Sequence, residues 1–220
     1  MIVEKLKERL AQISDLENAA AVLSWDQQTS MPPGGAGARA DQLATLARLS
    51  HELFTAAETG ERLEQAEREV GGEADSDAAA LVRVTRRDFD RAVKIPAALV
   101  AEMRHTSALA QEAWAQARPA NDYAAFAPWL EKNLDLARRA AECLGYADRL
   151  YDALLDIYEP GTTTAQVETM FGELKPALVS LVRAIGERGT PIDDAVLHRE
   201  FDEARQREFS ERLVRAIGYD

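Results

Sequence analysis

Glu4-Lys5-Leu6-Lys7-Glu8-Arg9-Leu10-Ala11-Gln12-Ile13-Ser14-Asp15-Leu16-Glu17-Asn18-Ala19-Ala20-Ala21-Val22-Leu23-Ser24-Trp25-Asp26-Gln27 opens the chain with one uninterrupted pattern. Leu6, Leu10, Ile13, Leu16, Ala20 and Leu23 recur at steps of three and four, so they share one face of a helix and leave the charged residues on the other. The spacing predicts a long amphipathic helix over 4–27. It stops at Met31-Pro32-Pro33-Gly34-Gly35, where two prolines remove donors and two glycines free the backbone.

The same pattern continues outward. Leu43, Leu46, Leu49 and Leu53 mark a second helix, and Thr59-Gly60 with Gly71-Gly72 brackets a short acidic one. Ser76 is a natural N-cap for a helix carrying Val82, Phe89 and Val93. Pro96 suits the first position of the next helix, which holds Leu99, Met103, Ala110 and Trp114. After the turn at 118–122 comes a helix with Leu130, Leu134 and Ala137 that ends near Gly145, with Pro128 starting or kinking it. Thr163-x-x-Gln166 has the form of a capping box, opening a helix through Met170, Leu174, Leu178, Leu181 and Ile185 that Pro176 should kink. Gly189-Thr190-Pro191 breaks the pattern again, and a last helix runs over 202–217. No segment alternates with period two. The expectation is an all-α fold of long antiparallel helices without a sheet, forming one helical domain over 1–220, with Trp25, Trp114 and Trp129 packed in cores.

Composition narrows the function. The chain has 220 residues, 46% hydrophobic and 29% charged, with only 12 Gly and 8 Pro, which excludes a disordered chain and favours helices. A net charge of −12 argues against nucleic acid or an anionic membrane as partner. No apolar run approaches a membrane span, and Met1-Ile2-Val3-Glu4 lacks the apolar core of a secretory leader. One cysteine, Cys143, excludes an internal disulfide and reads as a small buried apolar residue. A cytoplasmic location is the expectation.

Candidate chemistry is sparse. The histidines are His51, His105 and His198. His51-Glu52-Leu53-Phe54-Thr55 starts as the helical zinc motif His-Glu-x-x-His, in which histidines at i and i+4 reach one metal, but Thr55 occupies the second ligand position. Glu102-x-x-His105 supplies one half of a pattern that a helical di-iron centre needs twice. Gly34-Gly35-Ala36-Gly37 has neither the preceding strand nor the Lys-Ser/Thr of a phosphate loop. Arg83, Arg87 and Arg91 form a basic stripe at i, i+4, i+8, suited either to a solvated face or to docking a carboxylate.

One run is more specific. Ala21-Val22-Leu23-Ser24-Trp25-Asp26-Gln27-Gln28-Thr29-Ser30-Met31-Pro32-Pro33-Gly34-Gly35, continued by Ala38-Arg39-Ala40-Asp41-Gln42-Leu43, resembles the N-terminal signature of the thermostable, Taq-type zinc metallocarboxypeptidases. Trp114-Ala115-Gln116-Ala117-Arg118, Asn121-Asp122-Tyr123, Tyr151-Asp152-Ala153-Leu154-Leu155-Asp156-Ile157-Tyr158-Glu159-Pro160-Gly161 and Leu213-Val214-Arg215-Ala216-Ile217-Gly218-Tyr219-Asp220 are similar to further family blocks in the same order. The resemblance implies an all-helical region that walls and gates a peptide groove. Trp25, Asp26, Met31, Arg39, Trp114, Asp122, Tyr151 and Asp152 are then signature positions with structural or groove-wall roles.

Family members are more than twice this long. Their His-Glu-x-x-His helix, third zinc ligand and carboxylate-binding arginines belong to the later part, so no catalytic residue and no metal ligand carries over to this chain. Zinc, the family's cofactor, is thus expected to be bound outside it, and the chain alone is expected to be inactive. The expected partner is a second copy, forming a homodimer, or a family-related protein. The competing reading is a stand-alone, non-enzymatic interaction or regulatory protein derived from the family.

Overall fold

In a computed structural model the described residues are 1–32, 34–71, 75–189 and 192–219. Pro33, Gly72, Thr190, Pro191 and Asp220, which the sequence reading placed in breaks or at the end, lie outside them. Among the described residues there are nine α-helices, one 3-10 turn and no strand. The helices are α1 (Ile2–Thr29), α2 (Ala36–Thr55), α3 (Ala57–Val70), α4 (Asp77–Ala92), α5 (Ala97–Ala117), α6 (Tyr123–Leu144), α7 (Leu150–Tyr158), α8 (Thr164–Arg188) and α9 (Glu203–Ala216), with the 3-10 turn at Ala195–His198. The all-α expectation holds.

Pairs of contacting residues show how the helices run. Arg39 and Ser50 of α2 bond to Asp26 and Glu17 of α1, so numbers rise on one helix as they fall on the other. Arg9 with Glu58, the Lys5 carbonyl with Arg62 at 3.1 Å, and the Ile2 amide with Glu69 at 2.5 Å lay α3 antiparallel to α1. His105 beside Asp41 and His51 beside the Ile95 carbonyl do the same for α5 and α2.

The chain divides into two compact units, Met1–Gln166 and Val167–Asp220. The first holds three apolar clusters. Val3 and Leu6 of α1 meet Leu63 and Ala66 of α3 and Val82 of α4. Ala40 and Leu43 of α2 meet Ala108 of α5, with Ala20 and Leu23 against them. Leu99 of α5 meets Leu136 and Ala140 of α6, and Cys143 packs half-buried on that cluster rather than fully inside it. The second unit has no buried residue among those described. The boundary falls inside α8, where no Gly- or Pro-rich linker marks it.

Local chemistry explains several helix starts. Ser76 Oγ accepts the Ala79 amide at 3.2 Å, Asp122 Oδ1 the Ala125 amide at 3.1 Å, and Asp202 Oδ1 the Arg205 amide at 3.0 Å. The capping box before α8 is complete: the Thr163 amide donates to Gln166 Oε1 at 2.8 Å and the Gln166 amide to Thr163 Oγ1 at 3.3 Å. Pro96 sits at the N-cap, one position earlier than expected, and Pro128 and Pro176 both lie inside helices.

Thr59 and Gly60 do not break the chain but lie within α3. The Thr59 hydroxyl donates to the Leu53 carbonyl at 2.8 Å, and a Cβ on Gly60 would come within 3.0 Å of the Phe89 ring. Glycine here permits close helix packing, not a turn. Helix α7 had no periodic signal of its own at nine residues.

Leu6 and Leu63 are fully buried and face each other across the first cluster. Leu63→Ala should cost about 2–5 kcal/mol, the range for a truncated core leucine. Urea unfolding followed by circular dichroism measures it, and a loss below about 1 kcal/mol would contradict the packing.

Candidate functional site

The signature run builds the α1–α2 junction. Arg39, one turn into α2, reaches back to α1: its Nη2 lies 2.6 Å from Asp26 Oδ2, and its Nη1 donates to the Leu23 carbonyl. The Ser30 and Met31 amides both donate to the Asp26 carbonyl at 2.9 Å, closing the helix end. A Cβ on Gly35 would sit 3.1 Å from Met31 Cγ and 3.2 Å from the Pro32 carbonyl oxygen, so glycine is what lets residue 35 lie this close to both. Gln27 Nε2 donates to the Ala108 carbonyl at 2.8 Å and ties the same helix end to α5.

Between α1, α2 and α5 lies an open groove of about 590 Å³. Leu16, Leu46, Phe54 and Val100 supply apolar surface, while Ser24, Gln27, Gln28, Arg104, Ser107 and Gln111 supply hydrogen-bonding groups. Ala20, Ala21, Ala47 and Ala108 also line it, and their short side chains leave the space open. His51 is at its wall with Nε2 2.7 Å from the Ile95 carbonyl oxygen. A carbonyl only accepts, so Nε2 carries the proton. A second hollow of about 330 Å³ adjoins Ser107 and Gln111 and is lined by Trp114, Phe126 and Asn133.

The tryptophans correct the sequence expectation. Trp25 is 63% exposed and Trp114 42%, while Trp129 is only partly buried. Trp25 is two residues from Leu23, about 200° around the helix, so when Leu23 turns inward Trp25 must turn out. Trp114 shares a face with buried Ala110 and Ala117, but its ring reaches beyond them toward solvent, under the Arg118 guanidinium at 5.7 Å.

The remaining signature positions serve local joints. Asp122 caps α6, and Tyr151 is exposed on α7. Asp152 is buried, with Oδ1 accepting from the Thr164 hydroxyl at 2.5 Å and amide at 2.7 Å, and Oδ2 from the Arg149 amide at 3.1 Å. These bonds, led by the Thr164 hydroxyl, hold its carboxyl below the usual carboxylate range. Asp156 is lowered as well, first by the Gly161 amide at 2.7 Å and then by Arg91 and Arg87. Two members of the basic stripe thus hold Asp156: Arg91 pairs with its carboxylate, and Arg87 donates to its backbone carbonyl at 2.9 Å.

Among the described residues, the three histidines are each engaged elsewhere. His51 is committed at Nε2, Thr55 Oγ1 donates to the His51 carbonyl at 2.8 Å, His105 faces Asp41 at 3.3 Å, and His198 bonds Asp194 at 3.0 Å. Glu102, which a di-iron pattern would need, pairs with Arg139 at 3.0 Å. Among the described residues no three His, Cys, Asp or Glu gather as a ligand set. No helix among them is long and apolar enough to cross a membrane. Sequence reasoning missed Gln28, Arg104 and Gln111, because only the crossing of three helices brings them to one groove.

Residues 5–220 match the model of the Carboxypeptidase Taq (M32) metallopeptidase family, and the chain belongs to that family. It is 38% identical over 216 residues to Thermostable carboxypeptidase 1 of Thermus thermophilus, covering 93% of this chain and 42% of that protein. It is 37% identical to Thermostable carboxypeptidase 1 of Pyrococcus furiosus, covering 96% and 42%. The crystal structure of BsuCP superposes with a TM-score of 0.87 at 28% identity, over all of this chain and 44% of that one. A carboxypeptidase structure from Deinococcus radiodurans gives 0.72 at 38%, over 99% and 43%. The chain spans less than half the length of the curated relatives it matches and corresponds to their N-terminal region.

Two measurements probe these joints. A double-mutant cycle of Asp26→Ala and Arg39→Ala should give a coupling of about 1 kcal/mol, as for a charge-assisted pair with one partner nearly buried and the other partly exposed. Coupling near zero would remove the clamp. For Asp152, the depressed folded-state pKa means that stabilisation is present above the unfolded carboxylate range, about pH 4, and is lost as pH falls through the folded value. Asp152→Asn should therefore lower Tm most at neutral pH, with the difference from the parent shrinking toward pH 3.

Proposed function

We propose that this chain is a groove wall of a metallocarboxypeptidase that removes C-terminal residues from peptides. The observation that carries the reading is the α1–α2–α5 groove, held open by the signature residues. A peptide presents alternating amide donors, carbonyl acceptors and side chains. A surface that interleaves Ser24, Gln28 and Gln111 with Leu16, Leu46 and Phe54 suits both. Gln27 keeps α1 and α5 at a fixed separation through the Ala108 carbonyl, so the groove is preformed.

Hydrolysis in this class uses a metal-polarised water, and residues that hold such a metal do not converge among those described here. We place that centre in the polypeptide that follows the matched region in relatives. The chain alone then binds and orients but does not cleave. A cytoplasmic location and assembly as a homodimer belong to the same reading.

The test uses the 220-residue chain alone and the same chain joined to the C-terminal remainder of the Thermus relative. The joined form should release C-terminal amino acids in a metal-dependent way, and the chain alone should release none. Ala21→Trp, which fills exposed groove surface, should raise KM about tenfold for long peptides and leave kcat for short ones unchanged, as lost uniform binding does. Equal effects on long and short peptides would overturn the groove's role.

A further inference from the structure

Arg104 lines the α5 side of the α1–α2–α5 groove and is the one lysine or arginine among the described residues that do so. Positions three and four away on its own helix hold Val100, Ala101, Ser107 and Ala108, so no acidic neighbour can reach it along the helix. Among the described residues no carboxylate pairs with it from another element either. Other arginines nearby are matched: Arg48 with Glu52, Arg39 with Asp26, and Arg139 with Glu102. The chain carries 38 Asp and Glu against 26 Lys and Arg, so a cation left open in a groove stands out.

Glu17 lines the same groove from α1, where it accepts from Ser50 Oγ at 3.3 Å. Helices α1 and α5 run in the same direction, since each is antiparallel to α2, and the bond from Gln27 to the Ala108 carbonyl sets their register. Arg104 then stands level with Leu23, and Glu17 lies about 9 Å farther back along the axis. An extended peptide rises about 3.3 Å per residue, so the two charges are about three residues apart on a bound strand.

We propose, on the carboxypeptidase reading above, that Arg104 is a charge-reading subsite: it binds the carboxylate of an acidic side chain on a peptide in the groove, upstream of the bond that is cleaved. A carboxypeptidase removes the last residue, so one residue of substrate lies beyond the reacting bond and all the others precede it. With the metal centre outside the described residues, the peptide held here is the preceding part. Ser24, Gln28, Ser107 and Gln111 both donate and accept, so they hold a peptide without selecting its charge. The Arg104 guanidinium only donates, and its planar fork matches a carboxylate. Leu43, Leu46 and Phe54 of α2 keep water from one side of that pair, and Glu17 disfavours a second acid at its own end of the groove.

Fluorescence anisotropy tests this on the 220-residue chain with eight-residue peptides that carry an uncharged N-terminal dye and a C-terminal amide. A single Glu, Gln or Lys is walked through an otherwise Ala and Ser sequence. The amide removes the terminal carboxylate, so the side chain is the acid that is read. We expect Glu at its best position to bind about fivefold tighter than Gln, and Lys to bind more weakly than Gln. The preference should vanish in Arg104→Gln, invert toward Lys in Arg104→Glu, and shrink at about 1 M salt. Arg104 is exposed, so circular dichroism should give the same helicity for all three proteins. In the chain joined to the C-terminal remainder of the Thermus relative, the same peptides with free C-termini should show the Glu preference in KM and not in kcat.

Hydrolysis by the joined protein with equal KM for the Glu, Gln and Lys peptides would overturn the subsite and leave the carboxypeptidase reading standing. Charge-selective binding that follows Arg104, without hydrolysis by the joined protein, would support the subsite and overturn that reading. No peptide binding, or a Glu preference that survives Arg104→Gln, would overturn the subsite.

Discussion

The guanidinium of Arg39 closes the end of α1 from the side of α2. It meets a carboxylate, Asp26, and the backbone carbonyl of Leu23 at the same time, while its side chain is nearly withdrawn from water. Arginine suits this task because its planar fork can satisfy two acceptors from one position. The pairing requires α2 to start close beside the last turn of α1. Lysine at this place would reach one acceptor and leave the other short of a donor.

From that clamp the rest of the first unit follows. With α1 and α2 antiparallel, Ala40 and Leu43 come against Ala20 and Leu23, and Ala108 of α5 joins the same cluster. Gln27 then finds the Ala108 carbonyl, which leaves α1 and α5 on either side of α2. Alanines at 20, 21, 47 and 108 are too small to fill the space between these helices, so the groove is a product of side-chain volume as much as of topology. A polar helix end and a set of small residues thus produce one feature together: a gap of fixed width.

Helix existence was legible in the sequence because three- and four-residue apolar spacing and capping chemistry are local. Ser76, Asp122 and the Thr163–Gln166 box cap as their side chains dictate. Packing partners were less legible. Gly60 reads as a breaker when only its neighbours in sequence are considered, and as a contact residue once Phe89 of α4 lies against it. Trp25 looks like core because it lies in an apolar run, although its angular position relative to Leu23 already turns it outward. The signature itself was visible as a resemblance, but the bond from Gln27 to residue 108 spans 81 positions and leaves no local trace.

The contrast between α1 and α8 shows what periodicity does and does not encode. Both helices carry one apolar stripe over more than six turns' worth of sequence. On α1, Val3, Leu6 and Ile13 disappear from solvent because α3 and α4 cover part of that stripe and α2 and α5 another part. On α8 the equivalent positions remain open. An amphipathic pattern states that a face must be covered but not by what, since the free energy depends on the apolar area removed from water and not on the identity of the covering chain. Specificity has to come from elsewhere, from directional groups such as Arg39 and Gln27 on α1 and α2.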